Sequence, residues 1–350
     1  MAGMVAAPIG IPAQTPGVTS ERVPADTLDD ILIVRPPTGR VEADPTWDEA
    51  PVLLHEVLDG HYHRLVLHSP SIASRARAGQ FVMISVPSAA VPSDSVPSAT
   101  APAILVPSRG GAKILLPRPM AIQRRHPERG DIEVTFSIAG RGTAELARIE
   151  VGQSLLLTGP LGRGFEIPDA TSRILVMAHG SGVCAVLGIV EDAAARGIPT
   201  LALLSAAMRS AVVGERDCAE LGTEAIIVTE DAGSNTIPAI DRLLREHYRT
   251  ERPSVIMVCG SSALTRAAVA LGVDWGIPVQ VALEAHMACG LGYCHGCAAP
   301  VAASSDRASS DGATSDRVTS DGAISDGATS DREGPLVCRD GPVFDAHVPF

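Results

Sequence analysis

The chain of 350 residues lacks a basic surplus: 28 Lys and Arg face 40 Asp and Glu, for a net charge of −12. Duplexes and anionic bilayers are held by clustered cations that release counterions, so nucleic acid and charged membrane surfaces are excluded as partners. An unbroken apolar run long enough to span a bilayer is also missing. The longest, residues 174–190, contains His179, Gly180, Ser181 and Gly182 and reads as strand, turn and helix. No basic segment opens the N-terminus, where Pro8, Pro12 and Pro16 break the pattern. A signal peptide is therefore not expected, and a cytoplasmic location is the default. The seven cysteines are an odd number, and four crowd into the last quarter. An evenly spread disulfide framework would look different; this distribution suits a reducing compartment and a metal site.

What is present is a 45% hydrophobic chain, enough for one large or two medium domains. Residues 1–50 are rich in Pro, Ala, Thr and Asp without periodicity and read as a disordered extension. Residues 51–167 hold short strand-like runs: Val52–Val57, His63–His68, Gln80–Val86, Lys113–Leu116, Ala121–Arg124, Ile132–Ile138 and Gln153–Leu157. A short helix is expected over Gly142–Ile149, and the whole reads as a small antiparallel barrel. A recurring Val-Pro-Ser makes residues 87–110 a low-complexity insertion, because proline cannot sit in a central strand. Residues 168–283 alternate apolar runs (Ile174–Ala178, Thr200–Ser205, Ala225–Thr229, Val255–Cys259, Val279–Leu283) with helical patterns. That rhythm predicts a doubly wound parallel sheet. Residues 284–350 are dense in Cys and Gly at first. They are then interrupted over 302–334 by a pentad repeat ending in Ser-Asp, too polar to bury a core.

Cys289, Cys294 and Cys297 are spaced C-x4-C-x2-C, with Cys338 beyond the repeat. This is the plant-type [2Fe–2S] arrangement: four thiolates serve two irons, and one loop supplies three of them. Gly290, Gly292 and Gly296 between the ligands let the backbone bend and bring N–H groups to the sulfurs. A structural zinc site usually shows two C-x2-C pairs, and only Cys294 and Cys297 form one. A Rieske centre needs two histidines, and His295 has no counterpart. Cys184, Cys218 and Cys259 read as ordinary buried residues.

Taken together, Glu284–Cys297 and the Cys338-Arg339-Asp340-Gly341-Pro342-Val343-Phe344 tail resemble the electron-transfer subunits of type B dihydroorotate dehydrogenases. These belong to the ferredoxin-reductase-like iron–sulfur flavoproteins. The resemblance covers residues 51–350 outside the two low-complexity insertions. It implies three parts: an antiparallel FAD-binding β-barrel, a doubly wound nucleotide-binding domain and a small C-terminal [2Fe–2S] domain. It also implies FAD contacts from Arg118, Pro119, Met120 and Ala121, where the family carries Arg-Pro-x-Ser or Thr. Ala121 replaces the hydroxyl that sits near the flavin ring. Thr135, Phe136 and Ser137 lead into a glycine turn whose Gly142 and Thr143 open a helix. N–H groups at a helix start favour an anion, and the resemblance assigns the FAD pyrophosphate there. Gly159–Phe165 matches the segment joining the two domains. Around the nicotinamide the pattern departs: Ala178-His179-Gly180-Ser181-Gly182 is followed by Cys184-Ala185 rather than Ala-Pro, and Cys259-Gly260-Ser261 replaces Cys-Gly-Pro.

The implied role is electron transfer. A separate FMN-containing catalytic subunit oxidises dihydroorotate, and electrons pass through [2Fe–2S] and FAD to NAD⁺, in a heterotetramer of two plus two in pyrimidine biosynthesis. No catalytic acid or base is expected on this chain. Two alternatives remain open from the residues: a reductase of this architecture serving an oxygenase, sulfite reductase or hydrogenase, and a non-catalytic iron–sulfur redox sensor.

Overall fold

The computed structural model describes residues 33–35, 44–58, 62–86, 116–299 and 335–347. The expected insertions over 87–110 and 302–334 lie outside the described residues, as does most of the expected strand Lys113–Leu116.

β1 (Ile33–Arg35) comes first and belongs to the second sheet. The first sheet is built from β2 (Thr46–Leu58), β3 (Tyr62–His68), β4 (Phe81–Ser85), β5 (Arg118–Ala121), β6 (Arg124–His126), β7 (Asp131–Ser137) and β8 (Ser154–Leu161). Helices α1 (Pro70–Ala73) and α2 (Arg141–Leu146) punctuate it. The order is β5-β4-β8-β2-β3-β7-β6, every neighbouring pair antiparallel. The expected strand Ala121–Arg124 is broken at Ile122 and Gln123, and the break has a reason. Ile122 N–H donates to Gln80 O (3.0 Å), next to β4, while Gln123 N–H donates to Glu133 O (2.8 Å) on β7. Two adjacent residues thus bind opposite edges and close the sheet on itself, which leaves no exposed edge there. Strand alternation sends Val82, Ile84, Met120, Ile132, Val134 and Phe136 into one apolar core. Each such side chain, fully buried, stabilises the fold by about 1.5–3 kcal/mol before entropy is subtracted.

The second sheet contains β9 (Ile174–His179), β10 (Thr200–Ala206), β11 (Glu224–Thr229), β12 (Val255–Cys259), β13 (Val279–Ala282) and β14 (Val343–His347). Helices α3 (Val183–Ala195), α4 (Glu215–Glu220), α5 (Ile237–His247) and α6 (Ser262–Trp275) connect the parallel strands, and α7 (Val337–Asp340) precedes β14. The order is β1-β14-β13-β12-β9-β10-β11. β9 shows why these strands read as continuous apolar runs. Ile174, Val176 and Ala178 fill the core under α3, whereas Leu175 and Met177 fill the one under α5 and α6.

The sheet corrects two sequence expectations. It is mixed rather than purely parallel, because β14 joins β13 antiparallel and β1 joins β14 antiparallel. Both strands cover an edge that β13 would otherwise present. The extension over 1–50 is likewise not wholly unstructured: residues 33–35 form β1, and the barrel begins at Thr46.

Candidate functional site

Between β13 and the end of the chain, residues 284–299 run without regular structure, folded back on residues 335–337. Val337 N–H donates to Cys297 O (2.9 Å) and Ala299 N–H to Pro335 O (2.8 Å). These bonds return Cys338 to the loop despite the long sequence gap. The thiols come near one another: Cys289 interacts with Cys294, and Cys338 with Cys297 and, more weakly, with Cys289. Burial raises the Cys289 thiol, but the N–H groups of Leu291, Cys294 and Tyr293 more than offset it, lowering it to about 6. Burial and the neighbouring Cys297 push Cys338 up to about 12, against a contribution from the Gly292 N–H. Gly290 (φ +70°) and His295 (φ +56°) adopt the left-handed backbone that wraps the loop. Tyr293 is 83% exposed and Cys294 is exposed, whereas Cys297 and Cys338 are buried. Among the described residues, no three His, Cys, Asp or Glu side chains surround a single metal position.

The loop lies on the outer face of the barrel. Phe81, Met83 and Leu161 pack against Leu291, Cys297, Cys338 and Phe344. The neighbouring strand β5 carries the expected flavin residues. Arg118 reaches the first turn of α2: a Cβ built on Gly142 would stand 2.1 Å from Arg118 Nε and 2.8 Å from its Cζ. Only glycine admits the guanidinium there. The Arg118 guanidinium is thereby held against the start of α2. Thr143 serves the turn itself, since its Oγ accepts from Ala139 N–H (2.9 Å) and Gly140 N–H (3.1 Å). Met120 and Phe136 point into the barrel core. Ala121 faces outward and packs against the core under α3. Thr135 Oγ1 is buried without a hydrogen-bond partner. It shares the outer face with Ser137, which pairs with Tyr62 across β3 and β7.

Opposite that face lie the carboxyl ends of the parallel strands. The turn Gly180–Gly182 follows β9, and Gly260 follows β12. A Cβ on Gly182 would meet Cys259 O at 2.8 Å, and one on Gly260 would meet the His179 backbone at 2.9 Å. The two turns interlock where the strand order reverses, the place where open α/β sheets bind ligands. A pocket of about 260 Å³ opens there, lined by His179, Ser205, Glu230, Asn235, Thr236 and Ser261 among others. His179 Nδ1 and Ser205 Oγ are hydrogen-bonded at 3.0 Å. A larger groove of about 780 Å³ beside Glu166, Pro168 and Gln280 lies away from these strand ends and holds none of the expected residues.

Tyr62, Cys184, Cys259 and Glu284 escaped the sequence reading as a group. Burial, then the nearby Cys184 and Glu284, raise the Tyr62 phenol. Burial, then Asp217 and Glu284, push Cys184 up to about 12. Both cysteines are buried, so their packing follows expectation. What no local pattern shows is that Tyr62, from the barrel, meets them at the domain junction.

No family model matches the chain. Among curated proteins, it is 24% identical over 253 residues to the dihydroorotate dehydrogenase B (NAD(+)) electron transfer subunit of Desulforamulus reducens, covering 72% of this chain and 88% of that protein. It is 27% identical over 244 residues to the subunit of that name from Geobacillus kaustophilus, covering 69% and 84%. The Streptococcus mutans subunit is 26% identical over 291 residues, covering 80% and 89%. Among solved structures, an NADH-dependent reduced ferredoxin-NADP oxidoreductase superposes with TM-score 0.60 at 17% identity, covering 86% of this chain and 90% of that one. The ferredoxin reductase of carbazole 1,9a-dioxygenase superposes with TM-score 0.51 at 18% identity, covering 69% and 70%. In fold the chain is thus ferredoxin-reductase-like, and in sequence it is similar to the electron transfer subunits of dihydroorotate dehydrogenase B.

Proposed function

We propose that this chain is the electron-transfer subunit of an NAD-linked dihydroorotate dehydrogenase of the B type. It would work in the cytoplasm with an FMN-containing catalytic subunit, two copies of each, in pyrimidine (UMP) biosynthesis. The observation that carries the reading is the gathering of Cys289 with Cys294 and of Cys338 with Cys297 and Cys289 on the outer face of the flavin strand's neighbour. A [2Fe–2S] cluster takes four protein thiolates, two per iron, and four is the number that the loop and the residues before β14 bring together. The N–H groups around Cys289 favour the charged thiolate such a cluster requires.

The residues also fit FAD. Arg118 and the start of α2 offer a cation and N–H groups to a pyrophosphate, and Gly142 keeps the space open. Thr135 Oγ1 supplies an unused hydrogen-bonding atom on the same outer face. When bound, FAD would convert the electron pair of one hydride into single electrons, which a [2Fe–2S] cluster would carry one at a time. The chain's own residues place and shield these groups. Ala121 and Tyr62 wall the crevice, and the Gly180–Gly182 turn leaves room above them for NAD⁺.

The test is anaerobic purification with assays of iron, sulfide and flavin, then reconstitution with the FMN subunit. Iron, sulfide and FAD in the isolated chain, and dihydroorotate-dependent NADH formation only in the reconstituted complex, are expected. Zinc without flavin, or a loaded chain that the partner cannot reduce, would overturn the reading.

A further inference from the structure

Two outward side chains of β4, Phe81 and Met83, lie between the cysteine loop and the flavin strand, and Met83 is the one on which the loop's glycine backbone rests. On β4, Val82 and Ile84 turn into the barrel, whereas Phe81 and Met83 turn outward. Met83 is 1% exposed, and the loop covers it. A Cβ built on Gly290 would stand 2.6 Å from Met83 Cγ, 2.9 Å from its Sδ and 3.3 Å from Leu161 Cδ1. The backbone just after Cys289 therefore rests directly on the thioether. On its other side Met83 pairs with Pro119 across β4 and β5. Paired residues on one face of an antiparallel sheet hold their Cβ atoms about 4.5–5.5 Å apart. Pro119 shares the outward face with Ala121, so Met83 adjoins the surface assigned to the flavin.

We propose that Met83 is a positioning residue that sets the spacing between the cysteine loop and the flavin strand, and with it the rate of single-electron passage between them. The inference rests on the FAD and [2Fe–2S] reading above. The loop makes its own backbone bonds chiefly to residues 335–337. Its seat on the barrel is decided by packing against Phe81, Met83 and Leu161. Methionine fills such an irregular gap because its unbranched chain adapts to both neighbours. Truncating it opens a cavity into which the glycine backbone can settle or beside which it can shift. Electron passage between two centres falls steeply with their separation, so a small displacement is felt. In the step, FAD once reduced by hydride from NADH would pass one of the two electrons to the oxidised cluster, releasing a proton to water, and would hold the second until the cluster has been reoxidised by an external one-electron acceptor.

The experiment compares the full-length holoprotein with M83A and M83L, each assayed for iron, sulfide and FAD. Each is mixed anaerobically with NADH. Flavin bleaching is followed by stopped flow, and cluster reduction by freeze-quench electron paramagnetic resonance. M83A is expected to keep its cofactors and its bleaching rate, to alter the cluster's resonance line shape, and to slow cluster reduction about tenfold or more. M83L, which conserves volume, restores both rate and line shape. Wild-type cluster reduction and line shape in M83A would overturn the proposal, as would M83L behaving like M83A. If M83A loses its iron, M83I decides: slowed cluster reduction relative to M83L supports the role, and rates equal to wild type overturn it. Wild-type protein without FAD or iron fails at the assay stage and brings down the underlying reading as well, whereas a fully loaded set with equal rates fails this inference alone.

Discussion

The cysteine loop and the flavin–nucleotide crevice are built on opposite plans. Three of the four cysteines sit in one short loop, and backbone bonds from residues 297–299 to 335–337 bring in the fourth. The crevice is assembled from distant pieces: Tyr62 on β3, Arg118 on β5, Thr135 on β7, Gly142 on α2 and the turns after β9 and β12. The loop depends on the identity of each cysteine. The crevice depends on how closely backbones and side chains approach one another. The two plans therefore fail in different ways, which makes the difference measurable.

The largest expected effect is on the loop. Cys338→Ser should abolish stable iron and sulfide incorporation while the protein keeps FAD, because a two-iron cluster needs all four thiolates. Cys218→Ser, a change at a cysteine buried in the core under α3, should leave iron content unchanged. Equal iron in both variants would mean that the fourth ligand lies elsewhere. Metal analysis with visible spectra decides.

Next is the wall beside the crevice. Arg64 Nε donates to Glu133 Oε2 at 2.7 Å, and the two side chains are 15% and 4% exposed. Arg64→Met should destabilise the protein by about 3–5 kcal/mol, the cost of leaving a buried carboxylate without its cation. His126 also donates to Glu133 (2.7 Å), so a smaller loss would show that the imidazole can take over. Chemical denaturation gives the value.

A more local break is Gly142→Ala. The added methyl would occupy the place of the Arg118 guanidinium. FAD affinity should fall roughly 10- to 100-fold, or about 1.4–2.7 kcal/mol, with iron content untouched. Undiminished FAD affinity by flavin fluorescence titration would separate Arg118 from the pyrophosphate.

The smallest effect is pH dependence. Burial and the adjacent His55 lower the His63 pKa, while its Nδ1 is hydrogen-bonded to His55 Nε2 at 2.9 Å. The folded state therefore binds this proton less readily than the unfolded chain. Its contribution to stability is complete above the unfolded value of about 6.5 and is lost as pH falls below it. Glu133 acts lower on the scale. Burial raises its pKa, but the His126 hydrogen bond and the Arg64 guanidinium bring it below the usual carboxylate range. That contribution persists above about pH 4.3 and disappears as pH falls through the folded value. Thermal melts should thus weaken in two stages on acidification. His63→Gln should remove only the upper stage, by less than the roughly 2–4 °C that 1 kcal/mol gives a domain of this size.

Legibility followed the same division. Strand runs such as Ile174–Ala178 and Val255–Cys259 were plain from their apolar composition, because strands buried on both faces have nothing polar to confuse the pattern. β1 and β14 were not: the apolar run Ile31–Val34 stands alone in a Pro-rich extension, and β14 mixes Asp345 and His347 with its apolar residues. The break at Ile122 and Gln123 was equally hidden, since barrel closure depends on partners at Gln80 and Glu133 rather than on the dipeptide itself. Of the expected flavin residues, Met120 and Phe136 turned out to serve the barrel core with their side chains, a matter of strand phase.

By itself the sequence determined the cysteines of the loop, their spacing and the glycines between them, because these features are local: thiols and flexible backbone lie within a few residues of one another. Tertiary structure alone decided that Cys338 meets Cys297, that Arg118 lies on Gly142, and that Met83 separates the cysteine loop from the flavin strand. Each of these is a contact between residues far apart in the chain, set by sheet register and close packing, and no local pattern of residue types encodes a distance across a fold.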